Sequence, residues 1–343
     1  MKYSVLQILI VFVLITGSLK AQNLIAIQNG GEPEFYTSLD SAVTNAIGGD
    51  TIYIPGGTFM NNSILEIDKE LHLIGVGHNP DSTLITHMTY LWSSIRLKYG
   101  SSYSTFEGFY LTGEFIIGGS PSDQYDANVN HLKISRVNCG NIIFGKNCSG
   151  WDLYENVIRG IITTVNSFPR SQFNFFSNNI FCEGVCCFED SQFNNNIFIK
   201  GGYWANNVHT FTNCIFQNNV FLDGIGNEIT GCVFDNNLLY HIFSLPTGSL
   251  GSNNIFLGYE PWNVFVDYPG GIFDYSYNFH LIPAGYGINA GSDGTDIGIY
   301  GGMFPWKEGS LPPNPHIQYK LIQQSTDQNG NLNVNIKVAA QDN

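Results

Sequence analysis

Charge is scarce in this chain, and positive charge is scarcest. Charged side chains make up 12% of the 343 residues, and 14 Lys and Arg stand against 28 Asp and Glu, a net charge of -14. A surface this acidic repels phosphate backbones and anionic bilayers, which sets nucleic acid and charged membrane surfaces aside as partners. Beyond residue 21 no apolar run is long enough to cross a bilayer as a helix. Cysteine is present seven times, an odd count without the spacing of a small cross-linked scaffold, and no His sits at ligand spacing beside Cys182, Cys186 and Cys187 in CEGVCC. That argues against a metal site there.

The middle of the chain also lacks helical periodicity, and repetition takes its place. The copies LYENVIRG, FFSNNIFCEG, FNNNIFIKG, IFQNNVFLDG, FDNNLLYH and GSNNIFLG are anchored on Asn156, Asn179, Asn196, Asn219, Asn237 and Asn254. Their spacing of 17 to 23 residues marks a solenoid whose coils bury an apolar face only by stacking. Each copy reads as two short strands joined at the Asn pair. Three residues before the anchor stand Leu153, Phe176, Phe193, Phe216, Phe234 and Gly251, and two after it Ile158, Phe181, Phe198, Phe221, Leu239 and Phe256. Stacked at roughly 4.8 Å, these positions become apolar ladders. An outward Phe column would offer a strip for sugar rings, but a long exposed one invites aggregation, so the inward reading is preferred. The anchor Asn tolerates a left-handed bend, and its amide can bond the coils on both sides. Cys214 and Cys232, each five before an anchor, should stack in adjacent coils as packed thiols or a bridge.

The ends differ from the repeats. Lys2, an apolar run from Val5 to Ile15 and the small Ala21 read as an export signal over residues 1–21, with the mature chain beginning near Gln22 and no Cys there for a lipid anchor. The expectation is a secreted or cell-surface protein without a membrane span. Residues 38–49 (SLDSAVTNAIGG) carry Leu39, Ala42, Val43, Ala46 and Ile47 at helical spacing, a short amphipathic helix suited to plug the solenoid's open end. After the stiff LPPNP linker, residues 317–340 read as two alternating strands around Asn329-Gly330, a hairpin that should dock on the solenoid because it is barely stable alone. The expected divisions are therefore 1–21, 22–305 and 306–343.

The capping helix followed by GDTIYIPGGTF at residues 49–59, with the closing NAGSDGTDIGIYGG at residues 289–302, resembles right-handed parallel β-helix proteins of the pectin lyase-like kind. The resemblance runs over residues 38–302, with residues 289–302 looking like a last coil. The fold class expected is thus all-β: a right-handed parallel β-helix solenoid with a short N-terminal capping helix and a C-terminal β-hairpin. Such folds host lyases, hydrolases, esterases, adhesins and inert surface proteins. The resemblance implies dealings with extracellular polysaccharide or surface glycan, by binding or by lyase or glycoside hydrolase chemistry. The alternative is a structural or adhesive surface protein without chemistry. Pectate lyases pair calcium-binding acids with an Arg base, which makes calcium the candidate cofactor, but their motifs are missing. So are the NTD, paired-Asp, His-Gly and Arg-Ile-Lys blocks of polygalacturonase-like hydrolases.

Candidate site residues follow from charge and stacking. Arg136, Arg159 and Arg170, with Lys133 and Lys146, form the one basic region, and Asp123, Asp126, Asp152 and Glu155 are acids that could face it. Four residues past their anchors, Glu183, Lys200, Asp223 and His241 would align as a mixed-charge row able to shift one another's pKa values. Gly184, Gly201 and Gly224 follow three of them, so a turn of solvated charges is the ordinary reading. Tyr259, Trp262 and Tyr268 mark an aromatic insertion on which a glycan could stack. Asp293 and Asp296 suggest calcium only weakly, and His78 reads as a turn residue.

Overall fold

A computed structural model describes residues 24–61, 64–118, 128–145, 147–164, 170–199, 208–226, 228–240, 245–258 and 260–340, with backbone only for residues 208, 209, 261 and 262. The expected signal segment lies outside them. Among the described residues the chain winds through three long sheets of 12, 10 and 9 strands, here sheets A, B and C, with about one strand in each per coil. Apart from Ile25–Gln28 and Glu34–Tyr36 at the start of sheet A, which pair antiparallel, the ladders in these three sheets are parallel. Phe175–Ser177 pairs with Gln192–Asn194 in sheet A and Ile180–Phe181 with Ile197–Phe198 in sheet B, so equivalent repeat positions lie on top of one another. The fold is the β-solenoid the repeats imply.

Both apolar columns point inward. Phe176, Phe193, Phe216 and Phe234 are fully buried and stack at 4.4, 4.9 and 4.7 Å between ring centroids. Phe181, Phe198 and Phe221 form the second column at 4.9 and 4.5 Å. Each such ring contributes about 1.5–3 kcal/mol by leaving water. At the last coil the first column ends in Gly251, whose place is packed by Leu245, and Phe256 is left partly exposed.

The Asn pair at the A–B corner divides the labour. Each anchor is the internal ladder: the Asn179 amide donates to the Leu153 carbonyl at 2.8 Å and to Asn196 Oδ1 at 3.0 Å, while its oxygen accepts the Asn156 backbone N–H at 3.0 Å. The left-handed bend, expected at the anchor, belongs instead to the residue before it: Asn178, Asn195, Asn218, Asn236 and Asn253 have φ of 54 to 58°. This splits two demands that one residue cannot meet, since the anchor's side chain must aim inward.

The N-terminal helix, Leu39–Asn45, has Ser38 as its N-cap and buries Leu39, Ala42 and Val43 on the end of the core. Lys69 Nζ donates to the Ala46 carbonyl at 3.0 Å, closing the helix's C-terminal end.

Two expectations need correction. Residues 289–302 supply no strand to the three sheets and are not a last coil. They belong to a strap that leaves the final coil near residue 260 and returns along the solenoid toward its beginning. Asn236 Nδ2 donates to the Ala290 carbonyl at 2.9 Å, Asn195 Nδ2 to Gly298 at 3.2 Å and Asn178 Nδ2 to Ile299 at 2.8 Å, and the Lys307 backbone N–H reaches Glu155 at 3.0 Å. Beneath it the outward residues of sheet B, Val157, Ile180, Ile197, Val220 and Leu238, form a second core with Phe265, Phe279, Leu281 and Ile297. The other correction concerns the hairpin His316–Ile322 with Val334–Ala339, expected to dock: most of its residues are exposed along both strands.

Candidate functional site

Sheet A, unlike the part of sheet B beneath the strap, has an outer face left open to water. At the position two before the anchor it presents Tyr154, Ser177, Asn194, Gln217, Asp235 and Ser252, an outward polar row beside the inward Phe column. Where the strap crosses the corner, this face and the strap bound a groove of about 480 Å³ lined by Glu107, Lys133, Arg136, Asp152, Tyr154, Glu155, Phe175, Ser177, Asn178, Phe304 and Pro313. Parallel pairing sets the charges: Ser135 lies beside Glu107, and Lys133 beside Asp152, on successive coils.

Arg136 and Glu155 occupy the left-handed corner position, φ 51 and 55°, that Asn fills in later coils. A residue type poorly suited to that backbone costs roughly 1 kcal/mol there, so charge at this place has a compensating interaction. The interaction is a buried fork. Arg136, 4% exposed, donates from Nε and Nη2 to the two Glu155 oxygens at 3.2 and 3.0 Å, and from Nη1 to Glu107 Oε1 at 3.2 Å. Burial pushes the Glu107 carboxyl up, opposed by the Arg136 charge, and burial likewise pushes Asp152 up against the pull of Lys133. Lys133 Nζ stands 4.9 Å over the Tyr154 ring. Phe175 and Phe304, 37% and 61% exposed, add apolar walls. The groove therefore joins flat apolar surface with hydroxyl, amide and carboxyl groups at short range.

Of the sequence-derived candidates, Arg136, Lys133, Asp152 and Glu155 meet here. Arg159 does not join them. It lies past the sheet B strand Val157–Ile158, where Nε donates to Asn138 Oδ1 at 2.8 Å, Nη2 to the Leu111 carbonyl at 2.7 Å, and the guanidinium stacks 4.5 Å from the Tyr110 ring. Its donors serve the scaffold. Arg170 pairs with Thr212 on the sheet C side. In the mixed-charge row, Asp223 Oδ1 accepts its neighbour's N–H from Gly224 at 2.7 Å, a turn bond, and Glu183 stands partly exposed in a turn. Lys200 and His241 lie outside the described residues, as do Tyr259, Lys146, Asp123 and Asp126, and the Trp262 side chain is not described.

Tyr268 is 7% exposed in the second core, and its hydroxyl donates to the Gly271 carbonyl at 2.6 Å, so its ring is packing for the strap rather than a platform. Asp293 accepts from Thr295 N at 3.0 Å and Oγ1 at 2.7 Å, and Asp296 from Asn289 N at 2.8 Å, each an acid bonded within its own loop. Among the described residues no three His, Cys, Asp or Glu gather as metal ligands. His78 is a turn residue, as expected, but fully buried: its Nδ1 is within hydrogen-bond distance of the Tyr275 hydroxyl at 2.9 Å, and that hydroxyl accepts from Asn138 Nδ2 at 2.8 Å. Burial lowers its pKa to about 3, so it is neutral.

Glu107, Tyr154, Phe175 and Phe304 were not singled out from sequence. Tyr154 had a signal, being the one aromatic in a column of Ser, Asn, Gln and Asp. Phe304 had none, because the strap that carries it was not foreseen. Compared with models of known protein families, with curated proteins and with solved structures, the chain finds no match.

Proposed function

We propose that this is an exported protein that binds extracellular polysaccharide in the groove on sheet A, and that its ligand is a neutral glycan. The observation that carries the reading is the meeting of Tyr154, Phe175 and Phe304 with Glu107, Lys133 and Asp152 in one groove. Sugar rings present an apolar face bordered by hydroxyls, and such a surface answers both. Neutrality follows from the charges: among the groove's lining residues Glu107, Asp152 and Glu155 outnumber Lys133 and Arg136, and Arg136 is held by two of those acids, so a uronate would meet Lys133 alone beside a surplus of acid. The same fork removes Arg136 as a base for β-elimination.

The test is retention of purified protein on a polysaccharide panel, with calcium and with chelator. Retention on neutral glycans that falls about tenfold in Tyr154→Ala and further with Phe175→Ala supports the reading. Retention unchanged in the double variant, or restricted to polyuronates, overturns it, and no retention on any glycan favours a structural surface protein.

A hydrolytic reading is favoured by the placement of Glu107 and Asp152 in one groove, where burial pushes both carboxyls up, since a general acid must keep its proton and glycoside hydrolysis uses a pair of carboxyls. Release of reducing ends, abolished in Glu107→Gln with retention preserved, would establish it.

A further inference from the structure

The CEGVCC segment does not act as one cluster. Cys182 sits under the strap in the second core, while Cys186 and Cys187 belong to the sheet C strand Val185–Glu189. Neighbouring residues in a regular strand point to opposite faces, so adjacent cysteines there hold their sulfurs apart. Here the sulfurs of Cys186 and Cys187 are 3.1 Å apart. The cause is a kink. Val185 and Cys186 pair with Val208 and His209, then the register resumes at Phe188 with Phe211, and Cys187 takes φ 73° opposite Thr210 at φ 63°. The left-handed turn swings the Cys187 side chain to its neighbour's side. Thr210 repeats the turn one coil on with no cysteine present, so the thiols do not cause the turn that brings them together.

We propose that Cys186 and Cys187 are a redox-modifiable vicinal pair that closes into an eight-membered disulfide ring on reaction with a low-molecular-weight disulfide. The sulfurs need to approach by about 1 Å more to reach a bond of about 2.05 Å. Thr163 Oγ1, 3.1 Å from Cys186 Sγ, fixes that side chain from the preceding coil. The close contact between the two sulfurs raises the Cys186 thiol and lowers that of Cys187, making Cys187 the nucleophile.

The step balances. The Cys187 thiolate attacks one sulfur of the small disulfide, forming a mixed disulfide and releasing one thiolate. Cys186 passes its proton to that thiolate and attacks Cys187 Sγ, breaking the mixed bond and expelling a second thiolate, which takes a proton from water. The protein is oxidised by two electrons and the small disulfide is reduced to two thiols. Consecutive Cα atoms lie only about 3.8 Å apart, below the usual span for a disulfide, so the ring is strained and more reducible than a structural bridge. Both residues are 6% exposed, which leaves a narrow approach for a small oxidant.

The experiment treats the intact folded protein with oxidised glutathione, quenches in acid, then denatures it in excess alkylating reagent and maps cysteines by peptide mass. The expected result is one peptide carrying residues 186 and 187 with both sulfurs unalkylated and two hydrogens lost, restored by mild reductant. Cys186→Ser should trap Cys187 as a glutathione adduct, and Cys187→Ser should leave Cys186 fully alkylatable. Complete alkylation of all seven cysteines, or protection found at Cys214 and Cys232 instead, overturns the proposal. The wild-type map decides the matter even where a variant fails to fold.

Discussion

Asn178 and Ile299 are joined across the chain by a 2.8 Å hydrogen bond from side-chain amide to backbone carbonyl, and the same amide reaches the Gly301 carbonyl at 3.0 Å. Through this contact and its equivalents at Asn195, Asn218 and Asn236 the corner of the solenoid holds the strap, and the strap in turn forms one wall of the groove. The first Asn of each pair therefore serves the site while the second serves the scaffold.

Asn178→Ala should destabilise the protein by about 2–4 kcal/mol: the left-handed backbone disfavours Ala by roughly 1 kcal/mol, and two strap carbonyls lose their buried donor. Asn253 shares the conformation, φ 54°, at the last coil, where no strap bond from its side chain is found among the described residues. Asn253→Ala should therefore cost only about 1 kcal/mol. Urea unfolding of the two variants checks the difference, and equal losses would show that the strap contact adds nothing.

Asn196 illustrates the other role. Its amide donates to the Phe176 carbonyl at 2.9 Å and to Asn219 Oδ1 at 3.0 Å, and its oxygen accepts the Asn179 N–H at 2.9 Å, all without solvent. Asn196→Ala orphans groups on both adjacent coils and should cost about 3–5 kcal/mol. Because solenoid coils are stabilised by their neighbours, the loss should appear in hydrogen exchange as faster opening on both sides of residue 196, sparing the N-terminal coils.

Much of this was legible in the letters, and the reason is physical. A solenoid repeats its environment, so Phe193 and Asn196 meet the same demands as their counterparts a coil away and the sequence repeats with them. The strap does not repeat, so no column announces residues 260–312. A trace was still present: the residue after each anchor, Val157, Ile180, Ile197, Val220, Leu238 and Ile255, is apolar although it must face outward on a strand whose next residue faces in. An apolar outer column on sheet B signals a cover. Arg136 and Glu155 were legible only as charge, because their partner Glu107 lies on another coil and the expected convergence with Arg159 ignored that sheets A and B face different ways.

Acid should weaken the fold through His78. In the unfolded chain this imidazole takes a proton below its ordinary value of 6.5, while in the folded protein burial delays protonation to about pH 3. Between those values the unfolded state binds more protons, so stability falls as pH falls, by up to about 4 kcal/mol across the window. Its Nε2 has no partner among the described residues to receive the added charge. Comparing urea midpoints at pH 7 and pH 4 for wild type and His78→Gln tests the assignment: the variant should lose markedly less. A parallel decline in both would place the acid sensitivity elsewhere.

The Arg136–Glu155 fork can be separated from the fold that carries it. Arg136→Asn alone should cost about 3–5 kcal/mol, because Glu155, 3% exposed, is left as a buried anion with the Lys307 N–H as its remaining donor among the described residues. The double variant Arg136→Asn, Glu155→Asn removes both charges and installs, at two left-handed positions, the residue that later coils use there. It should recover to within about 1 kcal/mol of wild type, since a buried ion pair seldom outperforms a well-fitted neutral pair. In the groove the same change releases Glu107 from its cation, so its carboxyl rises further and glycan retention should fall even as stability returns. Thermal unfolding and polysaccharide retention on the same preparations separate the two effects. A double variant as unstable as Arg136→Asn would mean that the fork is there to hold the corner and not to shape the groove.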